Sequence, residues 1–437
     1  MKGTIAFATA LALVFAAASS AQARDIVIHA GTLIDGTGGT PRRQVSILVH
    51  DDRISAVQPG FVAPAGAEVI DLSQQTVLPG LIDCHVHIMA AWHSGDPIRL
   101  AVTTTAYDAL IDGVNDARAT LLAGFTTIRD VGDATTAVVA LKKAVAAGTI
   151  PGPRMWVSGT ALGPSGGHGD PANGLLPEFG EIPSWQESLV DSPEQARTTV
   201  RRMWRAGVDL IKIMPSGGVM SIGDDPKLQL MEDDEIKAVI ETAHSLGLKV
   251  AAHAHGKQAI DHTIALGVDS IEHGSYADAD SYKLFKAHGT YLVPTMLVGQ
   301  RVYERARTHP EQLNPSTAAK ALVIGPLLQK NLHDAHAAGV KIAFGTDTFG
   351  LSAHGENAQE FAIEVAAGMT PMEAILTATR NAADLIGASG DIGSIQPGRY
   401  ADVIAVTADP LTDVRALERV DFVMKGGAVV KAGGKPL

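Results

Sequence analysis

The sequence predicts an α/β protein: a (β/α)8 TIM barrel with a small β-sandwich domain formed from both termini. Three observations predict it. Apolar, strand-like runs alternate with helical stretches through the middle of the chain, the βα rhythm of a parallel sheet. Several of those helices end in glycine just before the next strand, at Gly124, Gly207, Gly247, Gly267, Gly289 and Gly339, which is the C-cap signal of an αβ loop. Both ends of the chain read instead as short strands separated by Gly-rich turns. The length of 437 residues suits one large barrel plus a smaller domain, and a composition 46% hydrophobic and 19% charged supplies a core.

Taken in order, residues 1–23 read as a signal peptide. Lys2 supplies the positive charge, the run from Ile5 to Ala18 is apolar, and Ala21-Gln22-Ala23 fits a cleavage site. The run is too short for a membrane anchor, so the expected location is periplasmic or secreted, with no anchor after cleavage. Residues 24–78 and 395–437 supply the two parts of the small β domain, with strands near 25–30, 45–49, 401–406 and 420–424. Neither part alone buries enough surface. Residues 79–394 hold the barrel, and its eight strand runs are 81–87, 125–129, 154–159, 209–214, 249–254, 269–273, 290–295 and 340–347. Helical stretches lie between them, for example 195–206, 234–246 and 317–338.

Composition excludes some roles. Lys and Arg number 35 against 47 Asp and Glu, a net charge of −12, and no basic stripe is present, which excludes nucleic acid as a partner. Cys84 is the only cysteine, so no intrachain disulfide forms despite the oxidising destination. It reads as a small buried apolar residue.

In a (β/α)8 barrel the active site sits at the C-terminal ends of the strands. The first run closes on His85-Val86-His87; alternate strand residues share a face, about 7 Å apart, so both imidazoles can grip one ion. The fourth run carries Lys212 among apolar neighbours, the fifth ends at His253 with His255 two residues on, the sixth ends at His273 and the eighth at Asp347. His85, His87 and Asp347 are expected to hold one divalent ion, and His253 and His273 a second; imidazole and carboxylate suit Zn2+. Two such ions repel and need an anionic bridge. A buried lysine has a depressed pKa, and its neutral amine can add CO2 to give a carbamate spanning both metals, so Lys212 is the expected bridge.

This set resembles the amidohydrolase superfamily, and most of all its binuclear branch containing Xaa-Pro dipeptidases, Lys/Arg-directed carboxypeptidases and ochratoxin amidases. The matching motifs are Pro79-Gly80-Leu81-Ile82-Asp83-Cys84-His85-Val86-His87, residues 124–130, Gly166-Gly167-His168-Gly169-Asp170, residues 207–212, His253-Ala254-His255-Gly256, Ser270-Ile271-Glu272-His273-Gly274, Gly345-Thr346-Asp347 and Pro397-Gly398-Arg399-Tyr400-Ala401-Asp402. The resemblance covers essentially the whole mature chain. It implies a carboxylated Lys212, a non-ligand His255 that contacts the substrate carbonyl, and commonly a homo-oligomer.

The expected reaction is hydrolysis of an amide or peptide bond in a small-molecule substrate, a dipeptide, an N-acyl amino acid or an ochratoxin-type amide. Asp347 serves as general base and then acid, and His255 helps to hold the carbonyl oxygen. His168, in the Gly-rich loop after the third run, is a substrate-contact candidate, with ordering of that loop as its other reading; His354 is a weaker case. His244, His262 and His288 fall within helices and are expected to face solvent. Arg129, Lys227, Arg301 and Arg305 are candidates to bind a substrate carboxylate, while Asp224 and Asp225 could favour a basic side chain or simply form a solvated acidic loop. Three alternatives stand beside this reading: a deaminase, against which Lys212 argues; a cyclic-amide, lactone or phosphotriester hydrolase on the same metal centre; and a non-catalytic binding protein.

Overall fold

A computed structural model of the chain describes residues 24–90, 102–350 and 353–437. The signal peptide expected at 1–23 lies outside them. Among the described residues, no helix is long and apolar enough to cross a membrane.

The N-terminal strands are β1 (Asp25–Leu33), β2 (Arg42–His50), β3 (Arg53–Pro59) and β4 (Glu68–Pro79). Eight parallel-type strands follow: β5 (Leu81–Val86), β6 (Phe125–Asp130), β7 (Arg154–Val157), β8 (Leu210–Ile213), β9 (Lys249–Ala254), β10 (Ser270–His273), β11 (Tyr291–Val293) and β12 (Lys341–Ile342). The chain closes with β13 (Val403–Val406), β14 (Phe422–Lys425), β15 (Ala428–Ala432) and β16 (Lys435–Pro436). The longer helices are α1 (Ala106–Leu122), α2 (Thr135–Ala146), α3 (Pro193–Ala206), α4 (Asp233–Ser245), α5 (Lys257–Ala265), α6 (Ala279–His288), α7 (Met296–Thr308) and α8 (Pro315–Ala337).

The central strands form two parallel sheets, β5-β6-β7 and β8-β9-β10-β11-β12. Backbone hydrogen bonds join them at both seams. Cys84 N donates to Phe344 O at 2.8 Å and Asp347 N to His85 O at 2.7 Å, linking β5 to the extended residues after β12. Asp209 N donates to Val157 O and Leu162 N to Lys212 O, both at 2.8 Å, linking the β7 side to β8. The six glycines that the sequence marks as helix ends all adopt positive φ, from 71° at Gly289 to 100° at Gly207. A Cβ disfavours that left-handed backbone, which is why glycine stands there.

The terminal strands form one mixed sheet in the order β16-β15-β14-β13-β4-β1-β2-β3. The expectation of a sandwich is corrected here: there are not two facing sheets but a single one that curls. Ile54 N donates to Arg399 O and Ala401 N to Asp52 O, so the outer strand β3 returns against the segment leading into β13. Twist brings that edge round, and the contact covers backbone groups that an open edge would expose. Ile28, Ile47, Val403 and Phe422 fill the enclosed core.

Candidate metal centre

Every strand-end residue singled out in the sequence lines one cavity of about 290 Å³: His85, His87, Lys212, His253, His255, His273 and Asp347, together with His168. The residues form two groups, His85–His87–Asp347 and His253–His255–His273, and within each group the potential ligand atoms lie within 4.8 Å of one another. Asp347 Oδ1 is 3.4 Å from His85 Nε2 and 3.2 Å from His87 Nε2. The His273 ring lies 5.3 Å from that of His85 and 4.7 Å from that of His253, so the two groups are neighbours.

The backbone is strained where it delivers these groups. His273, Thr295 and Asp347 have φ of 69°, 50° and 54°, and such left-handed non-glycine residues cluster at functional sites.

Hydrogen bonding fixes which nitrogen each imidazole offers. His85 Nδ1 lies 2.7 Å from Glu272 Oε2, His87 Nδ1 3.1 Å from Gly132 O, and His253 Nε2 3.2 Å from Gly217 O. Glu272 already accepts hydrogen bonds from Arg129 Nη2 at 2.9 Å and Ser270 Oγ at 2.6 Å, as an ionised carboxylate does, and a carbonyl can only accept. Each of these rings must therefore donate there. His273 Nδ1 meets Thr295 Oγ1 at 2.7 Å, and that hydroxyl spends its own proton on Pro294 O at 2.8 Å, so His273 also donates through Nδ1. His85, His253 and His273 thus keep one bare nitrogen for a cation, the usual outer-contact pattern of metal-binding histidines, while the second nitrogen of His87 faces Asp347 Oδ1. His255 differs: its Nδ1 faces the Ser275 hydroxyl at 2.6 Å, which can donate or accept. Its other nitrogen is free to carry a proton toward a substrate.

Burial draws His85, His253, His255 and His273 well below the ordinary histidine pKa, so they are neutral and suited to a metal. Burial also pulls on His87, but its hydrogen bond to Asp347 and that carboxylate's charge lift it above the usual value. Burial raises Asp347, yet His85, His87 and Lys212 outweigh it and hold the carboxylate below its normal range. Lys212 is 1% exposed, and among the described residues it forms no ion pair. Burial brings its amine down to about 8, against the pull of Glu272 and Asp347. The five strand-end imidazoles, a carboxylate and a low-pKa amine around one cavity fit a pair of divalent ions of Zn2+ type.

His168 stacks on His253 with ring centroids 4.3 Å apart. Its Nδ1 lies 2.8 Å from Ser221 Oγ, which donates to Asp224 Oδ1 at 2.6 Å, and Lys320 Nζ reaches the same oxygen at 3.0 Å. Asp224 is therefore neither a solvated loop acid nor open to a substrate: its side chain is fully covered and paired with Lys320. Arg129 is likewise removed as a carboxylate binder, since its buried guanidinium is engaged by Cys84 O, Ser270 Oγ and Glu272. Arg301 pairs with Gln359 and Glu356, and Arg305 with Gln312. Lys227 and Asp225 are exposed, Lys227 over the Tyr276 ring. None of these six lines the cavity. His354 is buried and lies 3.2 Å from His87 O, supporting that strand end. His244 and His262 are half-exposed and paired with Asp269 and Asp233. Cys84 is buried, its thiol pushed up to about 12. Sequence reasoning missed Glu272, Thr295, Ser221 and Lys320; only Glu272, an acid inside a strand run, carried a visible signal.

A profile described as "Amidohydrolase family" matches residues 76–430. Ochratoxinase from Aspergillus niger is 34% identical over 442 aligned residues, covering 95% of this chain and 89% of that protein. Among solved structures, a Xaa-Pro dipeptidase with methionine bound in its active site gives a TM-score of 0.89 at 36% identity, covering 93% of this chain and 100% of that one. A prolidase complexed with N-methylphosphonate-L-proline gives 0.85 at 32% identity, covering 93% and 100%.

Proposed function

This chain belongs to the amidohydrolase family, and from that premise we propose that it is an exported, binuclear-zinc (β/α)8-barrel enzyme cleaving dipeptides or N-acyl amino acids. That it hydrolyses amide or peptide carbon–nitrogen bonds follows from the family and from relatives that include ochratoxinase and Xaa-Pro dipeptidase. The observation that carries the finer reading is the pair of candidate ligand groups, His85–His87–Asp347 and His253–His255–His273, lining one cavity together with buried Lys212. His85, His87 and Asp347 would hold one ion, His253 and His273 the other, and carboxylated Lys212 would touch both. Ions bound there supply Lewis acidity that acidifies water and polarises a carbonyl.

The chain's own groups do the rest. Asp347 is ionised and fixed by its backbone bond to His85 O. It takes a proton from the attacking water and passes it to the leaving amine. His255 presents its free ring nitrogen to the carbonyl oxygen. His168, whose Nδ1 proton is committed to Ser221, offers a lone pair that accepts a hydrogen bond from a substrate N–H.

The test combines metal analysis of purified enzyme with hydrolysis of Xaa-Pro, Xaa-Arg/Lys and N-acyl-Phe libraries. Two ions per chain and turnover in one library are expected. Full activity with a single ion would overturn the bridged pair, and no hydrolysis in any library would overturn the dipeptidase reading.

A further inference from the structure

The cavity has two unlike ends. At one end are the imidazoles, Asp347 and Lys212; the other is walled by Val298 and Val302 of α7, Ile324 and Leu328 of α8, Met220 of the loop after β8, and Phe349. Apart from Lys212 and Asp347, which belong to the metal end, no Lys, Arg, Asp or Glu among the described residues lines it. The apolar end adjoins the ligands directly, since the Phe349 ring meets that of His87 edge-on at 6.2 Å.

This end is also closely packed and tethered. Val298, Val302, Ile324 and Leu328 are each nine-tenths or more buried. The loop bearing Met220 is tied to α8 by Lys320 Nζ, which donates to Ser221 O at 2.6 Å, and by Thr317 Oγ1, which donates to Met220 O at 3.4 Å. Gly299 lets the helices close together, as a Cβ there would come within 2.5 Å of Leu328 Cδ1. A charged side chain placed here would lose its water and find no partner among the described residues.

The geometry points to a substrate in which one arm of the scissile amide bears a bulky, uncharged apolar side chain seated between α7 and α8, and to rejection of substrates with Lys, Arg, Asp or Glu at that arm. This rests on the amide-hydrolase reading above. It separates apolar dipeptides and N-acyl amino acids from basic ones.

Two measurements on the metal-loaded wild-type enzyme test it. Calorimetric binding of free phenylalanine, leucine, lysine and aspartate reads the cleft without any turnover; kcat/KM on Ala-Phe, Ala-Leu, Ala-Lys and Ala-Asp and on the reversed dipeptides reads the substrate. Apolar ligands should bind about tenfold or more tighter than charged ones, and one dipeptide series should show the same order. Leu328→Ala should cut phenylalanine binding severalfold while leaving glycine binding unchanged, with Val302→Ala as the substitute if that variant does not fold. Equal or tighter binding of lysine or aspartate overturns the proposal, as does an apolar preference untouched by either variant. Apolar binding without hydrolysis of any dipeptide would keep the cleft and overturn the peptidase reading.

Discussion

Glu272→Gln is the most searching single change. The Glu272 carboxylate is wholly buried and accepts from His85 Nδ1 at 2.7 Å, Arg129 Nη2 at 2.9 Å and Ser270 Oγ at 2.6 Å. Glutamine keeps the volume but has one acceptor oxygen and an NH2 that only donates. With the oxygen turned to His85, the NH2 opposes Arg129 and Ser270, and a buried guanidinium loses its counter-charge, at a cost of about 3–5 kcal/mol. With the NH2 turned to His85, the ring must change tautomer and surrender the Nε2 lone pair that faces Asp347. Losing such a partner costs about 10–100-fold in metal affinity. One penalty or the other is unavoidable. Urea unfolding of the metal-stripped protein and competitive zinc titration of the refilled protein read the two separately. The double change Glu272→Met with Arg129→Met should recover stability, because no charge is left unpaired, but not metal affinity, because His85 still lacks its acceptor. A Glu272→Gln protein with wild-type stability and wild-type zinc affinity would refute the reasoning.

Three further outcomes are expected. Lys212→Ala should hold at most one ion per chain by metal analysis, and short carboxylates should restore part of the second; a variant retaining both ions removes Lys212 as the bridge. In metal-stripped protein, His85, His253, His255 and His273 resist protonation while the unfolded chain takes up protons near pH 6.5, so stability is full above that pH and falls below it by about 1.4 kcal/mol per pH unit for each ring; equal urea midpoints at pH 7.5 and 5.5 would contradict this. Gly218→Ala puts a Cβ 2.2 Å from His168 Nδ1 and should displace that ring, lowering kcat/KM about a hundredfold; unchanged kinetics would show that His168 takes no part.

The strand ends were legible because the βα rhythm and the chemistry fall at the same places: four of the eight runs close on a His or Asp that chain alternation can aim into a mouth, and a fifth carries Lys212. The outer partners were not legible, and Glu272 shows why. It neighbours His273 in sequence, and in a regular strand the two side chains point to opposite faces. Here the left-handed backbone at His273 breaks the alternation, so Glu272 reaches His85 while His273 also joins the cavity. Periodicity cannot forecast such a kink. Asp224 was misread for a related reason: its partner Lys320 lies 96 residues away, and loop composition carries no trace of that pairing. The curled terminal sheet escaped too, because strand spacing does not encode whether an edge folds back.

The distribution of carboxylates then bears on Lys212. Two divalent ions a few ångströms apart need an anion between them. Asp347 leans on His85 and His87, and Glu272 is engaged by His85, Arg129 and Ser270. No other acid among the described residues lines the cavity. Among the described residues, a bridge drawn from the protein would therefore have to be made on a group that begins without negative charge. Lys212, with its amine brought down to about 8, is neutral in an appreciable fraction of molecules near neutrality, and only the neutral amine can add CO2. Under the proposed bridged pair, the surroundings of Lys212 on β8 would thus serve chemistry before any metal arrives, since a lysine there with an ordinary pKa would stay cationic and repel the ions.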